Sequence, residues 1–271
     1  MMINTLSNFH THTVFCDGKN TPEEVVLAAI DKGFGAIGFS GHAPTASGSC
    51  YCMSDTAGYV AEVKRLKEAY RDRIQVYLGV EEDMIGPVDR SNFEYIIGSA
   101  HYCVVNGVYY SVDGSPAHFE KCLAAFGGDA MAMAEHYYKG FVAYIRERRP
   151  DIIGHFDLIT KFDEMGESLF LKNAAYEKMA AEYLLEAAKC DCIFEVNTGA
   201  ISRGYRKSAY PSEQLLHLLK KEDAKLILSS DSHQIETLDT AFAQTKQFLR
   251  DIGFTELYTL YDDEFKTYSI R

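Results

Sequence analysis

The sequence lacks tryptophan and holds only 6 prolines among its 271 residues, so aromatic packing falls to tyrosine and phenylalanine. It also lacks an apolar run near the roughly 18 residues that cross a bilayer, and we expect no membrane partner. Its first residues do not show the basic and apolar pattern of a secretory signal. The 7 cysteines, an odd number, favour reduced thiols. Together these features predict a cytoplasmic protein.

Positive charge is scarce as well, because 27 Lys and Arg residues stand against 39 Asp and Glu residues, which gives a formal net charge of -12. A chain of this charge repels phosphate backbones, and it has no basic stripe that would follow one. We therefore expect no long nucleic acid as a partner. A local cationic site can still bind a small anion, so a small phosphorylated substrate is compatible with the composition.

Short apolar runs alternate with helical patterns along the chain. This alternation indicates a parallel sheet with helices outside it, and its evenness favours a closed barrel over an open sheet. The length is compatible with one α/β domain over residues 1–271. The predicted strands lie at 6–13, 36–40, 74–79, 95–99, 151–154, 192–196 and 225–229. The predicted helices lie at 21–33, 55–72, 117–126, 129–148, 168–189, 211–221 and 236–251, followed by a tail.

Six of the nine histidines follow predicted strands, and three carboxylates do the same. The carboxyl ends of the strands of a parallel barrel meet on one face, so we expect these side chains to converge there. Neutral imidazole and carboxylate together suit Zn, Mn or Fe. The sequence therefore predicts a metal site on this face. Its candidate ligands are His10, His12, Asp17, His42, Glu81, His101, His155, Asp231 and His233.

The motifs around these residues resemble those of the PHP (polymerase and histidinol phosphatase) family. They are His10-Thr11-His12 with Asp17-Gly18, Ser40-Gly41-His42, Gly79-Val80-Glu81, Gly98-Ser99-Ala100-His101, Gly154-His155-Phe156-Asp157 and Ser230-Asp231-Ser232-His233. The resemblance spans residues 8–233. It implies a distorted (β/α)7 barrel of the PHP type with a trinuclear metal centre.

The resemblance also implies how three divalent ions, Zn, Mn or Fe, would share the ligands. One ion would be held by His10, His12, Glu81 and Asp231. Glu81 would bridge to a second ion, held by His101 and His155, and a third would be held by Asp17, His42 and His233. Because Glu82 and Asp83 follow Glu81 directly, a slip of one residue stays open. The residues expected to be catalytic are Asp17, His42, Glu81 and His233.

Within the family, the chain length, residues 98–102 and Asn197-Thr198-Gly199 followed by Arg203 resemble the histidinol-phosphate phosphatase branch. This implies hydrolysis of L-histidinol phosphate to L-histidinol and phosphate in histidine biosynthesis, by attack of a metal-activated hydroxide on phosphorus. Arg203 is a candidate for binding the phosphate, because its planar fork suits bidentate contact. Arg206 is its rival in the same loop, and Lys161 is a third candidate.

Three other interpretations stay open at this point. A PHP enzyme can act instead on a nucleotide or another phosphodiester. An amidohydrolase also begins with a His-x-His strand, although that family looks for a carboxylated lysine where this chain has Glu81 and His101. A metal-binding regulatory barrel without catalysis is the third, and the full ligand set argues against it. Neither the metal identity nor the oligomeric state follows from the residues.

Overall fold

The computed structural model describes residues 6–166 and 168–271, and it consists of strands and helices that alternate along most of the chain. The strands are β1 Ser7–Asn8, β2 Ala36–Phe39, β3 Gln75–Asp83, β4 Tyr95–Ser99, β5 Tyr102–Val105, β6 Val108–Ser111, β7 Ile152–Ile153, β8 Ile193–Asn197, β9 Leu226–Ser229, β10 Glu256–Tyr261 and β11 Glu264–Ser269. The helices are α1 Pro22–Asp31, α2 Thr56–Ala69, α3 Pro116–Ala125, α4 Ala130–Arg148, α5 Ala174–Ala188, α6 Gly199–Ser202, α7 Glu213–Lys221 and α8 Phe242–Ile252.

The main sheet has the strand order β1-β2-β3-β4-β7-β8-β9-β10-β11, and all pairs are parallel except the final antiparallel one. Just beyond β1 and β9 the chain pairs again through a parallel bridge between Thr11 and Ser232. Two backbone hydrogen bonds form this bridge: the His12 nitrogen donates to the Ser232 oxygen at 2.8 Å, and the Ser232 nitrogen donates to the His10 oxygen at 3.1 Å. The first seven parallel strands therefore curl into a distorted (β/α)7 barrel, and this confirms the predicted fold class.

The interior of the barrel is filled around the ring of Tyr95. Its hydroxyl donates to the carbonyl oxygens of Phe9, at 2.6 Å, and Phe39, at 3.0 Å, so one side chain ties β4 to the two first strands. A Cβ atom added at Gly38 or Gly79 would overlap this ring. Glycine at these two positions therefore makes room for the Tyr95 ring, which packs beneath the carboxyl ends of the strands.

Helix α1 begins as the sequence predicts. The side chain of Thr21 accepts a hydrogen bond from the Glu24 backbone, and Glu24 accepts one from the Thr21 backbone, which completes a capping box. None of the described helices combines the length and apolar composition needed to cross a bilayer.

The predicted start of α5 at residue 168 is wrong, because the helix begins at Ala174. The buried Asp163 carboxylate accepts hydrogen bonds from the backbone nitrogens of Leu169, Phe170 and Leu171. These bonds give the backbone an alternative to the helical ladder and hold the segment as a loop. Asn173 then caps the helix.

The region predicted as a tail is instead a hairpin of β10 and β11, and it extends the sheet beyond β9. Asp262 and Asp263, both with positive φ, form its turn. The last helix also begins later than predicted, at Phe242 rather than 236. A second hairpin, of β5 and β6, follows β4 where no strand was predicted, and it leads the chain to α3.

Leu257→Ala tests whether the hairpin of β10 and β11 is part of the folded core. Leu257 is 0% exposed and packs in the main cluster, so its truncation should lower the free energy of unfolding by about 2–5 kcal/mol. Urea denaturation followed by circular dichroism measures this change. Val108→Ala, at a residue that is 49% exposed, is the control and should stay within about 0.5 kcal/mol of the wild type. A Leu257→Ala loss as small as that of the control would contradict the expectation.

Candidate metal centre

All nine candidate ligands predicted from the sequence lie together at the carboxyl end of the barrel. The imidazole rings of His12 and His233 stack at a centroid distance of 4.1 Å, and those of His101 and His155 meet at 5.1 Å. Within the described residues, their ligand atoms form overlapping groups that could each hold a metal ion. The groups are His12, Asp17, His42 and His233; His10, His12 and Asp231; His10, Glu81 and His155; and His42, Glu81 and His101.

The first part of the centre is built by the two histidines of the His-x-His motif. His12 Nε2 lies 3.2 Å from Asp231 Oδ1, and His10 Nε2 lies 3.4 Å from Glu81 Oε2. The closing bridge between Thr11 and Ser232 brings the two strand exits side by side, so the barrel closure sets the distance between His12 and Asp231.

Glu81 joins this part to the next through its two oxygens. While Oε2 faces His10, Oε1 lies 3.0 Å from His155 Nε2 and 3.3 Å from His101 Nε2. Oε2 also lies 2.7 Å from His42 Nδ1. His12 Nε2 lies 3.7 Å from Oε2, so the carboxylate, which is 1% exposed, stands among five imidazoles, an arrangement that suits a bridging ligand.

The third part surrounds Asp17 at the outer edge of the centre. Asp17 Oδ2 lies 3.3 Å from His233 Nε2, and Oδ1 lies 3.6 Å from His42 Nε2. Asp17 is 35% exposed at its side chain, compared with 1% for Glu81. This part of the centre is therefore the one most open to solvent.

The donor set fits divalent metal ions of the zinc type. Ligand bonds of ~2.1 Å in a tetrahedral arrangement place the ligand atoms roughly 3.4 Å apart, which matches the separations around Glu81 and Asp231. The buried ring nitrogens His10 Nε2 and His12 Nε2 have no hydrogen-bond partner, and each faces a carboxylate of the centre. Buried polar atoms without partners are costly, so a ligand for them is the physical expectation.

The protonation states of His12 and Asp231 suit metal binding. Burial, aided by His233 and His42, lowers the pKa of His12 to about 3, so its imidazole is neutral at physiological pH. Burial alone would raise the pKa of Asp231, but Arg203 and His10 outweigh it and hold that pKa well below its usual range. A neutral imidazole and an ionised carboxylate are the forms that bind a cation.

Two carboxylates that the sequence analysis did not select orient the histidine rings. Glu195 Oε1 accepts from His10 Nδ1 at 2.6 Å, and Asp83 Oδ2 accepts from His101 Nδ1 at 2.8 Å. Such partners fix the tautomer of a ligating histidine and raise its basicity. A signal was present in both cases, because Asp83 shares a face of β3 with Glu81, and Glu195 is a lone acid inside an apolar strand.

Glu82, the neighbour that made the glutamate assignment ambiguous, points away from the centre. Its carboxylate accepts hydrogen bonds from Arg90 at 2.6 Å, Arg148 at 2.9 Å and Tyr144 at 2.8 Å. Burial would raise the pKa of Glu82, but the hydrogen bonds from Arg148 and Arg90 lower it to about 2. Successive side chains of a strand face opposite sides, so Glu81 faces the histidines while Glu82 binds the outer layer.

A cavity of about 660 Å³ opens onto the centre, and Arg203 and Lys161 supply cations to its wall. Arg203 Nη2 donates to Asp231 Oδ2 at 2.7 Å, and a Cβ at Gly199 would overlap this guanidinium. The Lys161 ammonium donates to Asp113, at 2.8 Å to its carbonyl oxygen and 3.3 Å to its carboxylate. Arg203 is therefore placed at the metal ligands, whereas Lys161 is bound to a carboxylate of the cavity wall.

Arg206 lies apart from the residues that line this cavity. Its side chain is 1% exposed, it donates to Thr160 Oγ1 at 2.9 Å, and its guanidinium stands 4.6 Å from the centroid of the Tyr210 ring. Asp157 at 3.9 Å and Glu164 at 3.6 Å balance its charge. The two rival arginines thus face different surroundings, one at the centre and one inside the loop layer.

Comparisons with known proteins identify the family to which the sequence is similar. A model of the PHP domain matches residues 8–199. A Schizosaccharomyces pombe protein named "Probable histidinol-phosphatase" is 29% identical, over 92% of this chain and 87% of that protein. A Bacillus subtilis protein named "Histidinol-phosphatase" is 23% identical, over 86% and 95% of the two chains.

A solved structure shares the fold. It is the histidinol phosphate phosphatase of Lactococcus lactis subsp. lactis, in complex with zinc, L-histidinol and phosphate. The two folds superpose with a TM-score of 0.71 at 20% sequence identity, over 96% of this chain and 98% of the other. The match to the PHP model sets aside the amidohydrolase interpretation.

Glu195→Gln tests the orienting role of this carboxylate. The substitution preserves shape but removes the negative charge behind His10, so we expect the affinity for zinc to fall about 10- to 100-fold. Competition with a chromogenic chelator measures that affinity, and circular dichroism checks the fold. Glu213→Gln, at a side chain that is 63% exposed on α7, is the matched control and should not change it. Equal zinc affinity in both variants would refute the role.

Proposed function

Because this chain belongs to the PHP domain family, we propose that it is a metal-dependent phosphomonoesterase that hydrolyses L-histidinol phosphate to L-histidinol and phosphate, a step of histidine biosynthesis. The observation that carries the proposal is the position of Glu81, whose two oxygens face separate groups of imidazoles, three of which (His42, His101 and His155) line one cavity. The names of the relatives, and the zinc, L-histidinol and phosphate bound by the Lactococcus lactis protein, support the choice of substrate.

We propose three divalent ions, with zinc as the first choice and manganese or iron as the alternatives. His10, His12, Glu81 and Asp231 would hold one ion; Glu81, His101 and His155 a second; and Asp17, His42 and His233 a third. Every one of these residues contributes an atom to the groups of converging ligand atoms. When bound, such ions supply Lewis-acid charge and make hydroxide available near neutral pH.

The residues of the chain then have distinct tasks. Three ligand carboxylates only partly neutralise three dications, so the site attracts a dianionic phosphate within an acidic protein. Arg203 holds Asp231 in place and offers its remaining guanidinium donors to the phosphate. Asp17, His42 and His233 surround the outer, more open part of the centre, where the reacting phosphate would have access, and the buried Glu81 joins them through His42.

The competing functions differ in the substrate. A phosphodiester or nucleotide would have to place a second substituent against the same cavity wall, and the net charge of -12 does not favour longer anions. A regulatory barrel would need no turnover at all. Both alternatives are therefore outcomes of one substrate panel.

The proposed function is tested by phosphate release from the zinc-loaded or manganese-loaded protein. L-histidinol phosphate should give the largest kcat/KM in a panel with p-nitrophenyl phosphate, a nucleoside monophosphate and bis-p-nitrophenyl phosphate. His42→Ala and Asp231→Ala should each abolish turnover while circular dichroism shows an intact fold. Preferential turnover of the diester would support the alternative, and no turnover of any ester with either metal would refute catalysis.

A second test separates the two arginines. We propose that Arg203 contacts the phosphate and that Arg206 stabilises the loop layer. Arg203→Met should lower kcat/KM about 100-fold, because a charged donor to the phosphate is lost. Arg206→Met should instead lower the free energy of unfolding by about 3–5 kcal/mol, because it leaves Asp157 buried without its partner. If Arg206→Met lowered kcat/KM and Arg203→Met lowered only the stability to urea, the two roles would have to be exchanged.

A further inference from the structure

One carboxylate on the cavity wall takes no part in the metal centre. Three Asp residues line the cavity, and Asp17 and Asp231 both belong to the groups of ligand atoms described above. The third, Asp113, does not, and it follows the hairpin of β5 and β6 along the chain. It therefore adds a negative charge to the cavity wall, and binding a phosphate ester does not require that charge.

Asp113 is held firmly in this position. Lys161 Nζ donates to its carbonyl oxygen at 2.8 Å and to Oδ2 at 3.3 Å, which fixes both the backbone and the side chain. The hydroxyl of Ser111 donates to Oδ1 at 3.3 Å and accepts from the backbone nitrogen of Gly114 at 2.9 Å. The side chain is still 20% exposed, so part of its acceptor surface faces the cavity.

The carboxyl is ionised at neutral pH. Burial alone would raise the pKa of Asp113, but Lys161 and the imidazoles of His101 and His155 outweigh burial and lower it. His101 and His155 line the same cavity as Asp113, so the carboxylate and the metal centre face one space. Lys161 offsets part of the charge of Asp113, and the exposed part of the carboxylate can still accept from a cation on the substrate.

We propose that Asp113 determines specificity by binding the protonated amine of the substrate, which makes the preferred class a phosphate ester of an amino alcohol. This inference rests on the proposed function. In such an ester the amine is carried by the carbon next to the ester carbon, so ammonium and phosphate are only a few bonds apart. The metals and Arg203 would receive the phosphate while Asp113 receives the ammonium. Lys161 then positions Asp113 instead of contacting the phosphate.

Two aromatic side chains complete this part of the wall. Tyr51 and Tyr205 both line the cavity, and the Tyr51 ring lies 4.7 Å from the ring of His42. Aromatic faces that line the same cavity as a fixed anion suit a ligand that carries a ring and an ammonium group. Esters that lack the amine would gain nothing from Asp113.

The test is a cycle of two enzymes and two substrates. Wild type and Asp113→Asn are compared with L-histidinol phosphate and with its desamino analogue, imidazolylpropyl phosphate. A hydrogen-bonded pair of opposite charges contributes about 10- to 100-fold in kcat/KM, so Asp113→Asn should lose that factor for L-histidinol phosphate. The wild type should lose a similar factor when the amine is removed. The two changes together should cost little more than either alone.

Three controls make the outcomes distinct. Asp239→Asn, at a surface carboxylate paired with Lys32, should leave kcat/KM unchanged for both substrates. Zinc content equal to that of the wild type, together with an unchanged circular dichroism spectrum, shows that Asp113→Asn is folded; if it is not, Asp113→Ser replaces it in the same cycle. Additive effects of the two changes would overturn the role of Asp113 alone. No turnover of either ester by the wild type would refute the proposed function and this inference with it.

Discussion

The structure depends on a single buried carboxylate that several imidazoles share. Glu81 is almost fully removed from solvent, and its oxygens lie within hydrogen-bond range of His42 and His155 and near His10 and His101. Without counter-charge, burying so many polar groups would cost far more than the marginal stability of a domain. The barrel tolerates it because the strands below are packed around Tyr95, and because Glu195 and Asp83 fix the rings from behind.

Much of the fold could be predicted because its rules are local or periodic. Alternation of apolar runs with helical patterns predicted the barrel, and the capping box of Thr21 and Glu24 predicted the start of α1. The meeting of the nine candidate ligands followed from one topological rule, namely that parallel strands end on the same face. None of these steps needed a distance between residues far apart in sequence.

The remainder depends on contacts that a single sequence does not reveal. The start of α5 is delayed because the carboxylate of Asp163 folds over the residues that follow it and takes up the backbone nitrogens that a helix would use. Glu195 meets His10 only through the register of β8 across the barrel. The hairpin of β10 and β11 does carry a local signal, since alternating apolar residues flank Asp262 and Asp263. Arg203 and Arg206 were inseparable until their surroundings were known.

The parallel bridge between Thr11 and Ser232 links closure of the barrel to completion of the metal site. The first and last strands of the barrel each carry a His or Asp of the same ligand group, so that group is complete only after the two distant ends of the barrel have met. A cation that binds the joined form and not the separated one stabilises the junction by mass action. Bound metal ions would therefore favour the closed barrel over forms in which its first and last strands are apart.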